Sequence, residues 1–131
     1  MKILIIDNDL ETTTMLSKFF LAKGIIPVII NNALEVPSHI RKEKYDVILM
    51  DIAMPKFSGI DVIKKLETDN ILQNQNIFIF SGALNYHDEI RGLLKKEGIR
   101  GFLKKPIELD EILKVITKDS DVQKTNPSKT A

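Results

Sequence analysis

Four short segments of the chain carry carboxylates, a hydroxyl or an amine, and each directly follows an apolar run. They are Asp7-Asn8-Asp9, Asp51, Ser81-Gly82 and Lys104-Lys105-Pro106. Two carboxylates can hold a hard cation, and a hydroxyl and an ammonium can bind the oxygens of an anion. This chemistry requires a fold that brings all four segments to one place.

The elements between these segments predict such a fold. Short apolar runs rich in β-branched residues alternate with longer segments of helical spacing, a pattern typical of a parallel sheet. The predicted strands are Lys2–Ile6, Ile25–Ile30, Asp46–Met50, Ile77–Phe80 and Gly101–Lys104. The first, third and fourth are almost wholly apolar, which indicates that helices cover both of their faces.

The second strand contains Pro27, which has no N–H for a sheet ladder and therefore favours an edge position. The strand order 2-1-3-4-5 meets that condition. It is the order of the flavodoxin-like doubly wound α/β fold, here with five parallel strands and five helices. In this fold, ligands bind beyond the carboxyl ends of the strands, where the four polar segments lie.

Local signals mark several helix ends. Asp9 is a candidate N-cap for the first helix, which we expect to stop at Gly24. Ser58 and Asp61 have the spacing of a capping box at the start of the third helix. Pro37 falls inside the second helix, which must begin near it or be kinked there.

Length and composition narrow the class of protein. The 131 residues fit one domain, and we expect residues 1–119 to form it and residues 120–131 to be a flexible tail. The net charge of +1 argues against direct nucleic-acid binding, and the short apolar runs argue against a membrane span. The absence of cysteine excludes disulfides and thiolate chemistry. We predict a cytoplasmic protein.

Asp7 and Asp51 end adjacent strands of the predicted sheet, about 5 Å apart in the pairing direction. Two carboxylates this close repel unless one of them is protonated or a cation bridges them, and Mg²⁺ suits oxygen ligands that leave room for phosphate. An ionised Asp can itself accept a phosphoryl group while a metal and a Lys neutralise charge. We expect Asp51 to be the acceptor, because apolar residues flank it on both sides.

These residues resemble the receiver domains of two-component response regulators, over about residues 2 to 118. The matching segments are Ile3-Leu4-Ile5-Ile6-Asp7, Asp51-Ile52-Ala53-Met54-Pro55 with Gly59, Phe80-Ser81-Gly82, and Phe102-Leu103-Lys104-Lys105-Pro106. Each segment alone is a weak signal. Together, in this order and at these separations, they are specific.

The resemblance implies a role for each matching residue. Asp51 would be the phospho-acceptor, and Asp7 and the backbone carbonyl of Ala53 would help to hold Mg²⁺. Ser81 would be the switch hydroxyl, and Lys105 the lysine that contacts the phosphoryl group. These implied roles make Asp51, Ser81 and Lys105 the catalytic set. Phe102 would be the aromatic switch residue.

One position departs from the family pattern. The family usually has a second acid directly after the first, where this chain has Asn8. An amide oxygen can ligate Mg²⁺, so we keep Asn8 in the predicted metal set with Asp7, Asp51 and Ala53. The pocket nevertheless loses a negative charge, which predicts weaker metal binding and slower phosphorylation.

The resemblance also implies partners. We predict a stand-alone receiver that takes a phosphoryl group from a sensor histidine kinase or a phosphotransfer protein. It would signal through the face made by helix 4, strand 5 and helix 5, which is also a possible homodimer face. Such a module is not an enzyme beyond its own phosphorylation and dephosphorylation.

One other function on this fold remains open, and two are disfavoured by the sequence. A pseudo-receiver would bind partners without phosphorylation, with Asn8 marking an altered pocket. A haloacid-dehalogenase-like phosphatase needs an acid two residues after the nucleophile, where this chain has Ala53. A flavodoxin needs a hydroxyl-rich phosphate loop after strand 1, where this chain has acids.

Overall fold

The structure, a computed structural model, describes residues 1–54, 56–82 and 87–122. Its strands are β1 (Lys2–Ile6), β2 (Ile26–Ile30), β3 (Val47–Met50), β4 (Ile77–Ser81) and β5 (Ile99–Lys104). Its helices are α1 (Leu10–Ala22), α2 (Val36–Lys42), α3 (Gly59–Thr68), α4 (His87–Leu93) and α5 (Leu109–Val122). Within these described ranges, no helix is long and apolar enough to cross a membrane.

The five strands form one parallel sheet in the order β2-β1-β3-β4-β5, which confirms the predicted fold. Strands β3 and β4 are buried along their whole length, as is β1 after Lys2. One apolar cluster joins the sheet to α2, α3 and α4, and a second joins its other face to α1 and α5. Covered on both faces, the central strands are held in register, so their ends are fixed relative to one another.

Strand β2 lies at the edge of the sheet and pairs with β1, where Pro27 is opposite Ile3. The edge position predicted from Pro27 is therefore confirmed. The proline removes one donor from the strand that has a single sheet neighbour, where this loss is tolerated.

The predicted helix ends are also present. The Asp9 carboxylate accepts a hydrogen bond from the Thr12 N–H at 3.2 Å and caps α1. Ser58 and Asp61 form a reciprocal capping box at the start of α3. A 3-10 turn precedes α2, which begins at Val36 and contains Pro37 in its first turn, so the helix starts at the proline and is not kinked by it.

The last strand and helix extend beyond their predicted bounds. Strand β5 begins at Ile99, before its predicted start at Gly101. Its pairing with β4 contains an irregularity that leaves Arg100 outside the register. The Arg100 side chain donates a hydrogen bond to Asn76 at 2.8 Å. Helix α5 continues to Val122, into the start of the predicted tail, and residues 123–131 lie outside the described residues.

Candidate functional site

The parallel sheet brings the polar strand ends to one edge. Asp7 and Asp51 follow the neighbouring strands β1 and β3, and the Asp51 N–H donates to the carbonyl of Ile6 at 2.9 Å. Ser81 is the last residue of β4, and Lys105 follows β5. The main-chain N–H of Lys105 donates to the carbonyl of Ser81 at 3.1 Å, which ties the last two strand ends together.

The Lys105 ammonium lies between the two carboxylates. Its Nζ donates to Asp7 Oδ2 at 2.7 Å and to Asp51 Oδ2 at 3.2 Å. Asp7 is only 1% exposed and Asp51 7%, whereas about a quarter of the Lys105 side chain reaches solvent. Two carboxylates and one ammonium leave a single excess negative charge, so the cluster attracts a cation.

Main-chain N–H groups fix the other oxygen of each carboxylate. The Asp9 N–H donates to Asp7 Oδ1 at 3.0 Å, and the Ala53 N–H donates to Asp51 Oδ1 at 2.9 Å. Each carboxylate therefore has one oxygen held by the backbone and one turned to Lys105.

The surroundings of Lys105 favour its charged form. Burial alone lowers the pKa of its ammonium, but the hydrogen bond to Asp7 and the charges of Asp51 and Asp7 outweigh it, so the net pKa is raised. The neighbouring Lys104 is exposed. The peptide bond from Lys105 to Pro106 is cis.

An aromatic ring completes the surroundings of the ammonium. The Lys105 Nζ lies 4.9 Å from the centroid of the Phe80 ring, within the range of a cation–π interaction. Phe80 had no predicted role of its own. Strand alternation was the available signal, because it turns residue 80 to the opposite face from Ser81 and toward the side of α5.

Gly59 allows helix α3 to begin close to the segment that follows β3. A Cβ atom at this position would lie 2.5 Å from the Asp51 carbonyl oxygen and 2.8 Å from the Ile52 Cα. Both are main-chain atoms that cannot move aside cheaply. A larger residue at this position would clash with the main chain, which explains why the motif has a glycine here.

The donor set of the site fits Mg²⁺ in kind. The Asp7 and Asp51 carboxylates and the Ala53 carbonyl are hard oxygen ligands of the type that Mg²⁺ prefers. Asn8 is exposed beside them. Within residues 1–54, 56–82 and 87–122, however, no group of three acidic or histidine side chains is placed to hold a metal.

Asp9 does not supply the missing acid in this conformation. Its carboxylate accepts hydrogen bonds from the hydroxyl and the main-chain N–H of Thr12. The bond from the hydroxyl contributes most to lowering the pKa of Asp9. This carboxylate therefore stays ionised as the cap of α1.

The two predicted switch residues lie on one face of the sheet. Ser81 is 1% exposed and pairs in register with Lys104, and Phe102 pairs with Ile79. By strand alternation, both face the side of α4. Phe102 is half-buried and packs against the larger apolar cluster.

Comparisons with known proteins agree with this geometry. A family model described as the response regulator receiver domain matches residues 3–117. The probable transcriptional regulator ycf29 of Pyropia yezoensis is 26% identical over 115 residues, which cover 88% of this chain and 51% of that protein. The chain thus spans about half the length of this relative.

Solved structures show the same fold. The receiver domain of a Francisella response regulator has a TM-score of 0.78 and 29% identity, with 94% of this chain and 98% of that chain covered. The response regulator TrrA of Thermotoga maritima, solved in complex with Mg(2+)-BeF, has a TM-score of 0.75 and 19% identity, with 89% and 96% covered.

Receiver domains are signalling modules that typically bind Mg²⁺ and interact with histidine kinases or phosphotransfer proteins and with downstream targets. With its sheet order, its polar strand ends and the family match over nearly all of its length, this chain belongs to the response regulator receiver domain family.

Proposed function

We propose that this receiver accepts a phosphoryl group on Asp51 from the phosphohistidine of a sensor kinase or a phosphotransfer protein. One observation carries the proposal: the Lys105 ammonium bridges the buried carboxylates of Asp7 and Asp51. A carboxylate nucleophile with a cation within hydrogen-bonding distance supplies two of the groups that phosphoryl transfer to a carboxylate uses, and Asp7 offers a further oxygen ligand for a metal.

The contacts favour Oδ2 of Asp51 as the nucleophile. The Ala53 N–H engages Oδ1, whereas Oδ2 faces Lys105. Attack by Oδ2 on phosphorus forms the acyl phosphate as the P–N bond breaks, and the imidazole nitrogen of the donor leaves with the bonding electron pair. Lys105 then donates to a phosphoryl oxygen in place of Oδ2.

Asp7, Asp51, the Ala53 carbonyl and the Asn8 side-chain oxygen are the residues that would hold Mg²⁺. When bound there, the metal neutralises charge on the transferring phosphoryl oxygens. Lys105 already neutralises part of the pocket, so this chain needs the metal chiefly when the phosphoryl group adds negative charge.

Ser81 and Phe102 are the proposed link from the phosphoryl group to a partner surface. Their shared face of the sheet supports this role, because a shift of the hydroxyl toward Asp51 frees space on the side to which Phe102 belongs. The resulting population shift would alter the face formed by α4, β5 and α5. That face would bind the downstream target.

Intact mass spectrometry tests the acceptor. Incubation with Mg²⁺ and acetyl phosphate should add the mass of one phosphoryl group, stable in acid and labile in base, and the adduct should be lost in Asp51→Asn. Asp46→Asn is the matched control, because this exposed carboxylate lies at the other end of the sheet. An adduct that persists in Asp51→Asn would place the acceptor elsewhere.

A second candidate is a pseudo-receiver that binds partners without phosphorylation. Asn8 favours it, because the pocket lacks the usual second acid, and Lys105 satisfies both remaining carboxylates without a metal. This candidate predicts an unmodified mass under the same conditions. It also predicts partner binding that Asp51→Asn leaves unchanged.

Three finer expectations remain proposals. The receiver would work as a stand-alone chain in the cytoplasm, which an immunoblot of the fractionated native cell would test by size and location. It would form a homodimer through the α4, β5 and α5 face. Its molecular mass in solution, with and without beryllofluoride, is the corresponding measurement.

A further inference from the structure

We infer that Phe80 is a positioning residue for Lys105, holding the ammonium over the site before and after phosphoryl transfer. The inference rests on the proposed function and extends it to a residue outside the predicted catalytic and metal sets. In the part of the chain that the structure describes, the Lys105 Nζ lies over the Phe80 ring, 4.9 Å from its centroid.

The two carboxylates alone do not keep the Lys105 ammonium in place throughout phosphoryl transfer. A lysine has a long flexible side chain, and its two hydrogen bonds go to Asp7 and Asp51. Phosphorylation of Asp51 removes one of these acceptors and creates new ones further out. Lys105 must then move without leaving the site.

A ring face suits this movement because it attracts a cation without requiring one hydrogen-bond direction. The ammonium can turn from the carboxylate of Asp51 to a phosphoryl oxygen while it stays over Phe80. The ring also covers one side of the ammonium with apolar surface. That side is then shielded from water, which would compete for its protons.

The position of Phe80 in the core makes this contact stable. Its side chain is 5% exposed and belongs to the cluster between the sheet and the helices α1 and α5. Phe78 lies two residues earlier on the same strand and in the same cluster, at 1% exposure. Phe78 thus shares the packing role of Phe80, while the Lys105 ammonium lies over the ring of Phe80.

This pair gives a matched experiment. Phe80→Leu and Phe78→Leu each replace a buried ring by a smaller apolar side chain in one cluster. A third variant carries trifluorophenylalanine at position 80, introduced by stop-codon suppression, which keeps the ring shape but weakens the negative charge of its face. The measurements are the beryllofluoride dissociation constant in Mg²⁺, by calorimetry, and the ring-current shift of the Lys105 ε-methylene protons, by NMR.

We expect Phe80→Leu to weaken beryllofluoride binding by about two- to fivefold relative to Phe78→Leu, the range that corresponds to a partly exposed cation–π contact. The trifluorinated ring should weaken binding in the same direction while leaving the thermal unfolding temperature near the wild-type value. The Lys105 proton shift should disappear in Phe80→Leu and remain in Phe78→Leu.

Two failures are distinguishable. If the wild type binds beryllofluoride but both leucine variants bind it equally and the trifluorinated protein matches the wild type, the role of Phe80 is overturned and the proposed function stands. If the wild type binds no beryllofluoride and takes no phosphoryl group, the proposed function falls, and this inference falls with it.

Discussion

The two ends of the sheet use charge in opposite ways. At the carboxyl end, Asp7 and Asp51 are buried and share one ammonium, that of Lys105. At the amino end, the ion pairs of the described residues are exposed and connect a strand end, helix ends and loops. They are Lys2 with Glu43, Arg41 and Lys65 with Asp69, and Lys96 with Glu67.

The difference concerns what each set of charges contributes to folding stability. An exposed ion pair contributes about 0–1 kcal/mol and can be lost with little effect. Buried charges cost several kcal/mol in desolvation, which only close partners offset. A sequence under no demand beyond folding would fill the carboxyl end with apolar residues, so the buried cluster indicates where the chemistry lies.

The variant with the largest expected effect on the free energy of unfolding, Gly98→Ala, tests whether the amino end of the sheet serves only stability. Gly98 has a φ of +98°, and a Cβ there would lie 2.0 Å from the Leu72 carbonyl oxygen. We expect Gly98→Ala to lower the free energy of unfolding by about 2–5 kcal/mol, from the left-handed backbone and the clash together. Urea titration measures this loss.

Gly24→Ala is the control for backbone strain, because Gly24 also has a positive φ, +79°, but no atom within 4 Å of the added Cβ. It should cost about 1–2 kcal/mol. Folded Gly98→Ala protein should still be phosphorylated at the wild-type rate. A slower rate at a temperature where the variant is fully folded would show that the two ends are coupled.

The second prediction compares one lysine from each end. Lys105→Met leaves the buried carboxylates of Asp7 and Asp51 without their cation, so we expect a loss of about 3 kcal/mol at neutral pH. Lys96→Met breaks the exposed pair with Glu67 and should cost about 1 kcal/mol or less. Equal losses in urea titrations would contradict the contrast between the ends.

The stability difference between the wild type and Lys105→Met should also depend on pH. The folded state raises the pKa of Lys105 above its ordinary value of 10.5. Its stabilisation is therefore complete below pH 10.5 and is lost as the pH rises through the folded pKa. The stability difference between the wild type and Lys105→Met should stay constant from pH 7 to about pH 10 and shrink above it.

The sequence predicted the fold well because burial constrains it strongly. Apolar strands, Pro27 at the edge and the capping box at Ser58 each reflect a local rule that the folded chain obeys. The start of β5 was missed because Arg100 interrupts the apolar pattern. Its side chain reaches Asn76, a contact that no local rule encodes.

The candidate site was predictable only in part, for the same reason. Strand ends of a parallel sheet must meet, so the meeting of Asp7 and Asp51 follows from topology. The contact between Phe80 and Lys105 depends instead on how one long side chain packs across two strands. Side-chain packing of this kind is a tertiary property. Strand alternation places Phe80 on the face of α5, but it does not indicate that the Lys105 ammonium lies over the ring.

The smallest expected effect concerns the residue that departs from the family pattern. Asn8 lies exposed beside a cluster with one excess negative charge. Asn8→Asp adds a second excess charge and a carboxylate ligand, so we expect Mg²⁺ affinity to rise by about tenfold, as one further unit charge at a partly solvated site would give. Calorimetric titration with Mg²⁺ alone measures this change.

Asn74→Asp is the matched control, because it makes the same charge change at an exposed position of the amino end. It should leave Mg²⁺ affinity within about twofold of the wild type, since solvent and salt screen a charge more than a Debye length from the site. Unchanged Mg²⁺ affinity in Asn8→Asp would mean that the Lys105 ammonium, and not the number of acids, limits metal binding at the site. A rise in both variants would instead point to the general field of the protein, and the contrast between the two ends would then lose its local meaning.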